Sequence, residues 1–322
     1  MKQAGPVKES GAMEAGVLTR FIKFWLPGLL LLAAATPALH PFQWPVTEPV
    51  LINGFAQLCP VTGGFYTGIL VGARVMEVQP LAEGRILFAG NSAPLDQGGI
   101  GRYLVIEHDR GIRAIYGNLM PAEAIYEKRE VGPDDVIGVL KAVSEMDSPE
   151  DGETNRRGKL YIKLIDGELD QIVNPLITLP VLSSLETVTI KSAAVEVDGD
   201  RVYSVPGESF PQIPAGMVDW YVEVGAMDAG RSPDFFPTPR SITLQVNAYP
   251  EGVVAFDALQ AKEEQLRLAG YTVSEVYAVE NHFYAGSINL APGETEVEII
   301  VESFSGDESR AVWRVQAVGA EE

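Results

Sequence analysis

The sequence predicts an all-β protein built from two successive β-rich parts, and three observations carry that prediction. Residues 54–179 hold short stretches of β-branched, aromatic and other apolar residues, separated by polar intervals rich in glycine. From about residue 185 onward apolar and polar residues alternate strictly, the period-2 pattern of strands with one face in a core. No long stretch places its apolar residues at helical spacing.

In the first part the expected strands are RILFA (85–89), YLVIE (103–107), RAIY (113–116), VIGVL (136–140) and LYIKLI (160–165). Residues 91–101 and 147–158 read as turns and loops. PAEAIYEK (121–128) is the one short helix candidate. In the second part residues 194–197 and 201–205 flank Asp198-Gly199-Asp200, a hairpin signal. Ile242, Leu244, Val246 and Ala248 are expected on one face and Thr243, Gln245 and Asn247 on the other. Val297, Ile299 and Val301 alternate with Glu296, Glu298 and Glu302. Residues 262–268 (KEEQLRL) read as a short helix or a polar edge strand. This part is expected to be an antiparallel sandwich with one wet face per sheet, free of any disulfide. The boundary falls near residues 180–186, giving a linker at 39–53 and domains at 54–183 and 184–322.

The N-terminus reads as a targeting segment. Lys2, Lys8, Arg20 and Lys23 precede the apolar run FWLPGLLLLAAA (24–35), and small residues lead to Ala38. That is the form of a secretory signal in residues 1–38, and its apolar core is shorter than the ~20 residues that span a bilayer. An uncleaved anchor starting near Val17 is the alternative, and it is the only expected contact with a membrane. The expected location is the periplasm or cell envelope.

Composition removes several classes of function. There are 44 Asp+Glu against 24 Lys+Arg, a net charge of -20, so nucleic-acid phosphates would be repelled. One Cys makes no intrachain disulfide, and three His leave little material for a zinc hydrolase. Cys59 reads as a small buried residue. No phosphate-binding loop, dinucleotide fingerprint or serine-nucleophile elbow is present.

Six segments in order resemble the lysostaphin-type (LytM-like) zinc endopeptidase domain, which cuts peptide cross-bridges in bacterial walls. GFYTGIL (64–70) sits where that family has His-x-Gly-x-Asp, and GRILFAG (84–90) resembles its glycine-bounded strand. GRYLVIEHDRGIRAIYGNL (101–119) resembles its central G-x-x-V-x-I-x-H pattern and the Y-x-H-L that follows. VGPDDVIGVL (131–140) resembles the next strand. GKLYIKL (158–164) replaces G-x-His-Leu-His-Phe-Glu, and VNPL (173–176) matches the closing V-x-P. The resemblance covers roughly 115 residues. In the second part MVDWYVEVGAMDAG (217–230), PRSITLQVNA (239–248) and VVAFDAL (253–259) resemble an immunoglobulin-like domain that follows this peptidase domain in some envelope proteins.

The departures fall on the positions that carry the family's chemistry. Its three metal ligands correspond to Tyr66, Leu70 and Tyr161, and its two assisting histidines to Asn118 and Lys159. Leucine cannot ligate a metal, a phenol with pKa near 10 is a poor ligand, and Lys159 adds a cation. Without zinc there is no activated water. The resemblance therefore implies a non-catalytic pseudo-peptidase with no cofactor. Its groove, around Tyr66, Leu70, Asn118, Lys159 and Tyr161, would bind or scaffold a wall (peptidoglycan) peptide or an envelope protein partner. Two alternatives stand beside it: a zinc-independent envelope hydrolase relying on carboxylates such as Asp166 or Glu107, and a purely structural envelope protein. His108 is read as a surface histidine at a strand end. Asp166, Glu168 and Asp170 are read as a wet hairpin end, Trp220 or Tyr221 as core, and the acidic run 147–151 with Glu153 as a solvated loop.

Overall fold

The computed structural model describes residues 42–140, 158–182, 187–197, 199–226 and 238–319. Residues 1–38, expected as a targeting segment, and the acidic run at 147–153 lie outside the described residues. The protein is all-β.

The first part is organised by a large, mainly antiparallel sheet. Its central strands are β2 (Ile69–Ala73), β4 (Gly84–Asn91), β5 (Arg102–Glu107), β6 (Ile112–Gly117), β10 (Gly158–Asp166) and β11 (Gln171–Val173). The order runs β11-β10-β6-β5-β4, with β2 beside β10 and β1 (Val50–Asn53) outside β2. Among the described residues, the two-residue β8 (Glu130–Val131) is what lies beyond β4. A small three-stranded sheet joins β3 (Glu77–Val78), β9 (Gly138–Leu140) and β7 (Leu119–Pro121). One face of the large sheet is core: Ile69, Val71, Leu104, Ile106, Ala114, Tyr116, Leu160, Ile162 and Leu164 are all at 0% exposure. Each alternates with residues on the other face, as the pleat requires. The expected strands at 85–89, 103–107, 113–116 and 160–165 fall inside β4, β5, β6 and β10, and the last three residues of 136–140 form β9. The helix candidate is a single 3-10 turn at Glu123–Tyr126.

Residues 42–53, expected as linker, are built into the fold. Phe42 and Val46 are buried. The Gln43 amide donates to Leu81 O, Trp44 Nε1 donates to Pro180 O at 2.8 Å, and β1 pairs with β2.

The second part is the expected two-sheet sandwich. One sheet orders β13 (Asp200–Ser204), β12 (Val188–Val197), β15 (Gly216–Ala226) and β20 (Phe283–Leu290). The other orders β14 (Ile213–Pro214), β22 (Glu308–Val318), β21 (Gly293–Glu302), β16 (Ser241–Val246) and β17 (Tyr249–Ala255). Ile242, Leu244, Val297, Ile299, Val301, Trp313 and Val315 face inward at 0% exposure, while the intervening glutamates face water. Trp220, Trp313 and Phe210 meet in the core with ring centroids 5.1–6.3 Å apart. Ala248 lies in the β16–β17 turn, exposed.

One hairpin crosses the expected boundary. β18 (Ala258–Lys262) and β19 (Gln265–Leu268) follow β17 in sequence, yet β18 pairs with β11 and so extends the first sheet. Asn174 fixes this junction. It is fully buried, its amide donates to Asp257 O, its Nδ2 donates to Phe256 O at 2.7 Å, and its Oδ1 accepts from Leu176 N. Tyr277 OH, just after the short helix α1 (Val273–Val276), donates to Ala56 O at 2.9 Å. His40–Glu322 form one compact unit.

Candidate functional site

Three of the five candidate residues lie on β2 and β10, and the other two lie in the segments beside them. The register pairs Leu70 with Tyr161, Tyr161 with Gly117, and Lys159 with Gly72. Residues paired across strands share a face, so Leu70, Lys159 and Tyr161 share the face opposite the core. Asn118, directly after β6 and in left-handed backbone (φ 58°), donates from Nδ2 to Lys159 O at 2.8 Å. Tyr66 precedes β2 in a loop tied back on itself: its amide donates to Gln57 O, and its carbonyl accepts from Ala56 N.

The centre of this group is a phenol held by its neighbours. Tyr161 is 4% exposed, and its hydroxyl shares a 2.8 Å hydrogen bond with Thr67 Oγ1. Its ring lies over Gly68, where an added Cβ would come within 2.8 Å of the ring and 2.3 Å of Ile162 O. Burial pushes the Tyr161 phenol up to about 12, with neighbouring Tyr66 and Cys59 adding to the rise and the Thr67 bond opposing it. Burial, with Cys59 nearby, also raises Tyr66. Both phenols are therefore neutral near pH 7 and poor metal ligands. Leu70 is buried and has no donor atom. The Asn118 amide is engaged on backbone, and Lys159 brings a cation without a partner among the described residues. This donor set does not fit the zinc ion that the resemblance implies. Among the described residues no group of three or more His, Cys, Asp or Glu could hold a metal. Cys59 is buried, as expected. Burial acts to raise its thiol, but hydrogen bonds from the Thr62 side chain and the Thr62 and Val61 amides outweigh this and lower it.

The face that carries Leu70 and Tyr161 continues across the sheet in three rows. The first is Leu70, Tyr161, Gly117, Tyr103 and Gly90. The second is Lys163, Ile115, Val105 and Phe88, and the third is Ile165, Arg113, Glu107 and Arg85. A groove of about 350 Å³ opens on this face, walled by Phe88, Tyr103, Val105, Arg113, Ile115 and Ile165. Lys163 is half-buried with no partner among the described residues, and its burial lowers its pKa. A larger polar hollow of about 790 Å³ lies around Arg85, Glu107, Asp109, Arg110 and Glu130 and contains none of the five candidates.

His108, expected at the surface, is 5% exposed. Its Nδ1 lies 2.8 Å from Glu83 O and its Nε2 3.2 Å from Tyr116 OH, while Phe42 packs on its ring at 5.3 Å. The neutral ring satisfies both contacts by donating from Nδ1 and accepting at Nε2. Phe42 lies far away in sequence, so no local pattern announces this burial. The two carboxylates weighed for hydrolysis are both engaged. Glu107 is salt-bridged by Arg85 at 2.5 Å and Arg113 at 3.5 Å, and these cations hold it below the usual carboxylate range. Asp166 Oδ1 accepts from the Glu168 and Leu169 amides, making the hairpin end that was expected. Trp220 and Tyr221 are both buried, on opposite faces of β15.

Comparison with known proteins adds two findings. A protein-family model matches residues 185–318, the sandwich part. Among solved structures, a chain in the structure of the SpoIIQ–SpoIIIAH pore-forming complex is similar to this one with a TM-score of 0.32 and 14% identity, over 46% of this chain and 96% of that chain. No curated protein matches.

A second polar constellation escaped the sequence reading because its members lie on three different strands or their flanks. Ser192 Oγ on β12 donates to Glu223 Oε2 on β15 at 2.7 Å and lies 3.1 Å from His282 Nε2, just before β20. His282 Nδ1 is 2.7 Å from Glu280 O. A serine, an imidazole and a backbone orienter are the parts of a nucleophile. Here the carboxylate at the shorter distance takes the hydroxyl hydrogen.

Proposed function

We propose that the chain is an exported, non-catalytic protein of the bacterial cell envelope. In this reading the degenerate peptidase face binds or scaffolds a wall peptide or a wall-remodelling partner. The observation that carries it is the co-location of Leu70, Lys159 and Tyr161 on one sheet face, with Asn118 and Tyr66 beside them, in a donor set that fits packing and hydrogen bonding rather than zinc. Lys159, Asn118 and Tyr66 are partly accessible and offer a cation, an amide and an aromatic ring to a peptide. Isothermal titration with soluble wall fragments should give binding that weakens at least several-fold in Lys159→Ala and Tyr66→Ala. Wall turnover should be absent with and without added zinc. Zinc-dependent cleavage would overturn the reading, and unchanged binding in both variants would move the ligand elsewhere.

A further inference from the structure

The groove on the sheet face opposite the core has two unlike ends. Its floor is the row Ile115, Val105 and Phe88. Phe88 is 53% exposed, and its ring meets that of Tyr103 edge-on at 6.1 Å. Phe88 and Ile115 lie two strands apart, roughly 10 Å. The β4–β5 end is therefore apolar. The β6–β10 end carries charge. Arg113 walls the groove there. Lys163 pairs with Ile115, which puts it diagonal to Arg113 on the same face, a spacing within reach of long side chains. Ile115 and Ile165 fill the other diagonal.

Neither cation is fully engaged. The Glu107 carboxylate is met by Arg85 at 2.5 Å and by Arg113 Nε only at 3.5 Å. Among the described residues no hydrogen bond engages an Nη of Arg113, and Lys163 is half-buried without a partner. A chain of net charge -20 thus sets two under-used cations at one end of an apolar trough. The floor itself offers no backbone partner. β5 is laddered to β4 and β6, and β6 to β5 and β10, so their amides and carbonyls are taken up within the sheet. A peptide laid on this floor would leave its own inward-facing amides and carbonyls unpaired, a cost that an acyl chain does not carry.

We infer that this groove binds a free acyl-chain carboxylate. The carboxylate would lie between Arg113 and Lys163, with the chain crossing Ile115 and Val105 to the Phe88–Tyr103 end. Charge-assisted bonds hold the head, and apolar area removed from water holds the tail. A second copy fits worse, because two such grooves face to face would bury four cations in one interface. The inference goes beyond the wall-peptide reading and uses none of its five residues.

The test titrates the full chain with decanoate below its micelle-forming concentration. Decanol, decyltrimethylammonium and an N-capped Val-Phe-Val peptide with a free C-terminal carboxylate are the comparisons. Decanoate should shift the methyl resonances of Val105 and Ile115 and bind at least tenfold more tightly than all three. Arg113→Gln should weaken decanoate about tenfold, the loss of one charge-assisted bond, and Lys163→Gln several-fold. Neither change should alter decanol binding, whereas Phe88→Ala should weaken decanoate and decanol together. If Lys163→Gln does not fold, Arg113→Gln decides, since that side chain is half-exposed. Equal binding of decanol, unchanged decanoate binding in Arg113→Gln, or unmoved Val105 and Ile115 methyls overturns the proposal. So does equal or tighter binding of the peptide, or self-association that shifts the same methyls without ligand. Failure here with intact wall-fragment binding leaves the broader reading standing.

Discussion

At the residue scale, His108 links burial to pH. Desolvation lowers its pKa, with the Glu83 carbonyl and Asp109 opposing, so the folded protein favours the neutral ring. The unfolded chain takes up a proton near the ordinary value of about 6.5. Stability from this group is therefore complete above about pH 6.5 and is lost as the pH falls toward the folded value, at up to about 1.4 kcal/mol per pH unit. Thermal unfolding followed from pH 7.5 to 5 should show the melting temperature dropping. In His108→Gln it should start lower and fall less steeply. Equal slopes in the two proteins would remove His108 as the cause. The sequence places Leu70, Lys159 and Tyr161 within apolar strand segments and Tyr66 and Asn118 beside them, as the structure does. What they touch is not legible there. The Thr67–Tyr161 bond follows from packing around Gly68, and the His108 cage needs Phe42 and Glu83, which no local spacing connects.

At the scale of elements, alternation predicted β16 and β21, which bury Ile242, Leu244, Val297, Ile299 and Val301, while the Asp-Gly signal marked the β12–β13 hairpin. The β18–β19 hairpin was only half legible. A polar edge strand was among the readings for residues 262–268, and β19 is one, but its place in the other sheet follows from Val173 meeting Ala258. Long-range pairing of this kind leaves no periodic mark. The hairpin's turn also carries a correctable cost. Glu263 and Glu264 both have positive φ, 53° and 64°, a backbone that Asn-Gly adopts more readily. Replacing them together by Asn and Gly should stabilise the protein by about 0.5–2 kcal/mol in urea unfolding. A lower midpoint in the variant would mean that the two glutamates hold contacts outweighing the backbone strain.

At the scale of the molecule, the two β-rich parts share a sheet and a buried polar junction. Asn174→Ala removes the side-chain atoms that satisfy Phe256 O and Leu176 N, and each buried group left unpaired costs roughly 1–3 kcal/mol. Calorimetry should then show one transition for the wild type and a lower one for the variant, with both parts melting together. A transition confined to one part would show that the junction does not couple them. Ending the chain at residue 182 should expose the β11 edge and give a fragment that associates or unfolds, whereas the full chain stays dispersed.

The placement of β18 also sets a timetable for synthesis. β11 cannot complete its ladder until residues 258–262 have been made, and at the usual ~5–20 residues per second that is a wait of several seconds. During that wait the first sheet carries a bare strand edge at Gln171–Val173, in addition to the part of β4 beyond Ile86 that no described residue pairs on its outer side. A nascent chain with two unpaired edges is a substrate for holding factors, and slowing translation between residues 183 and 258 should lengthen its exposure.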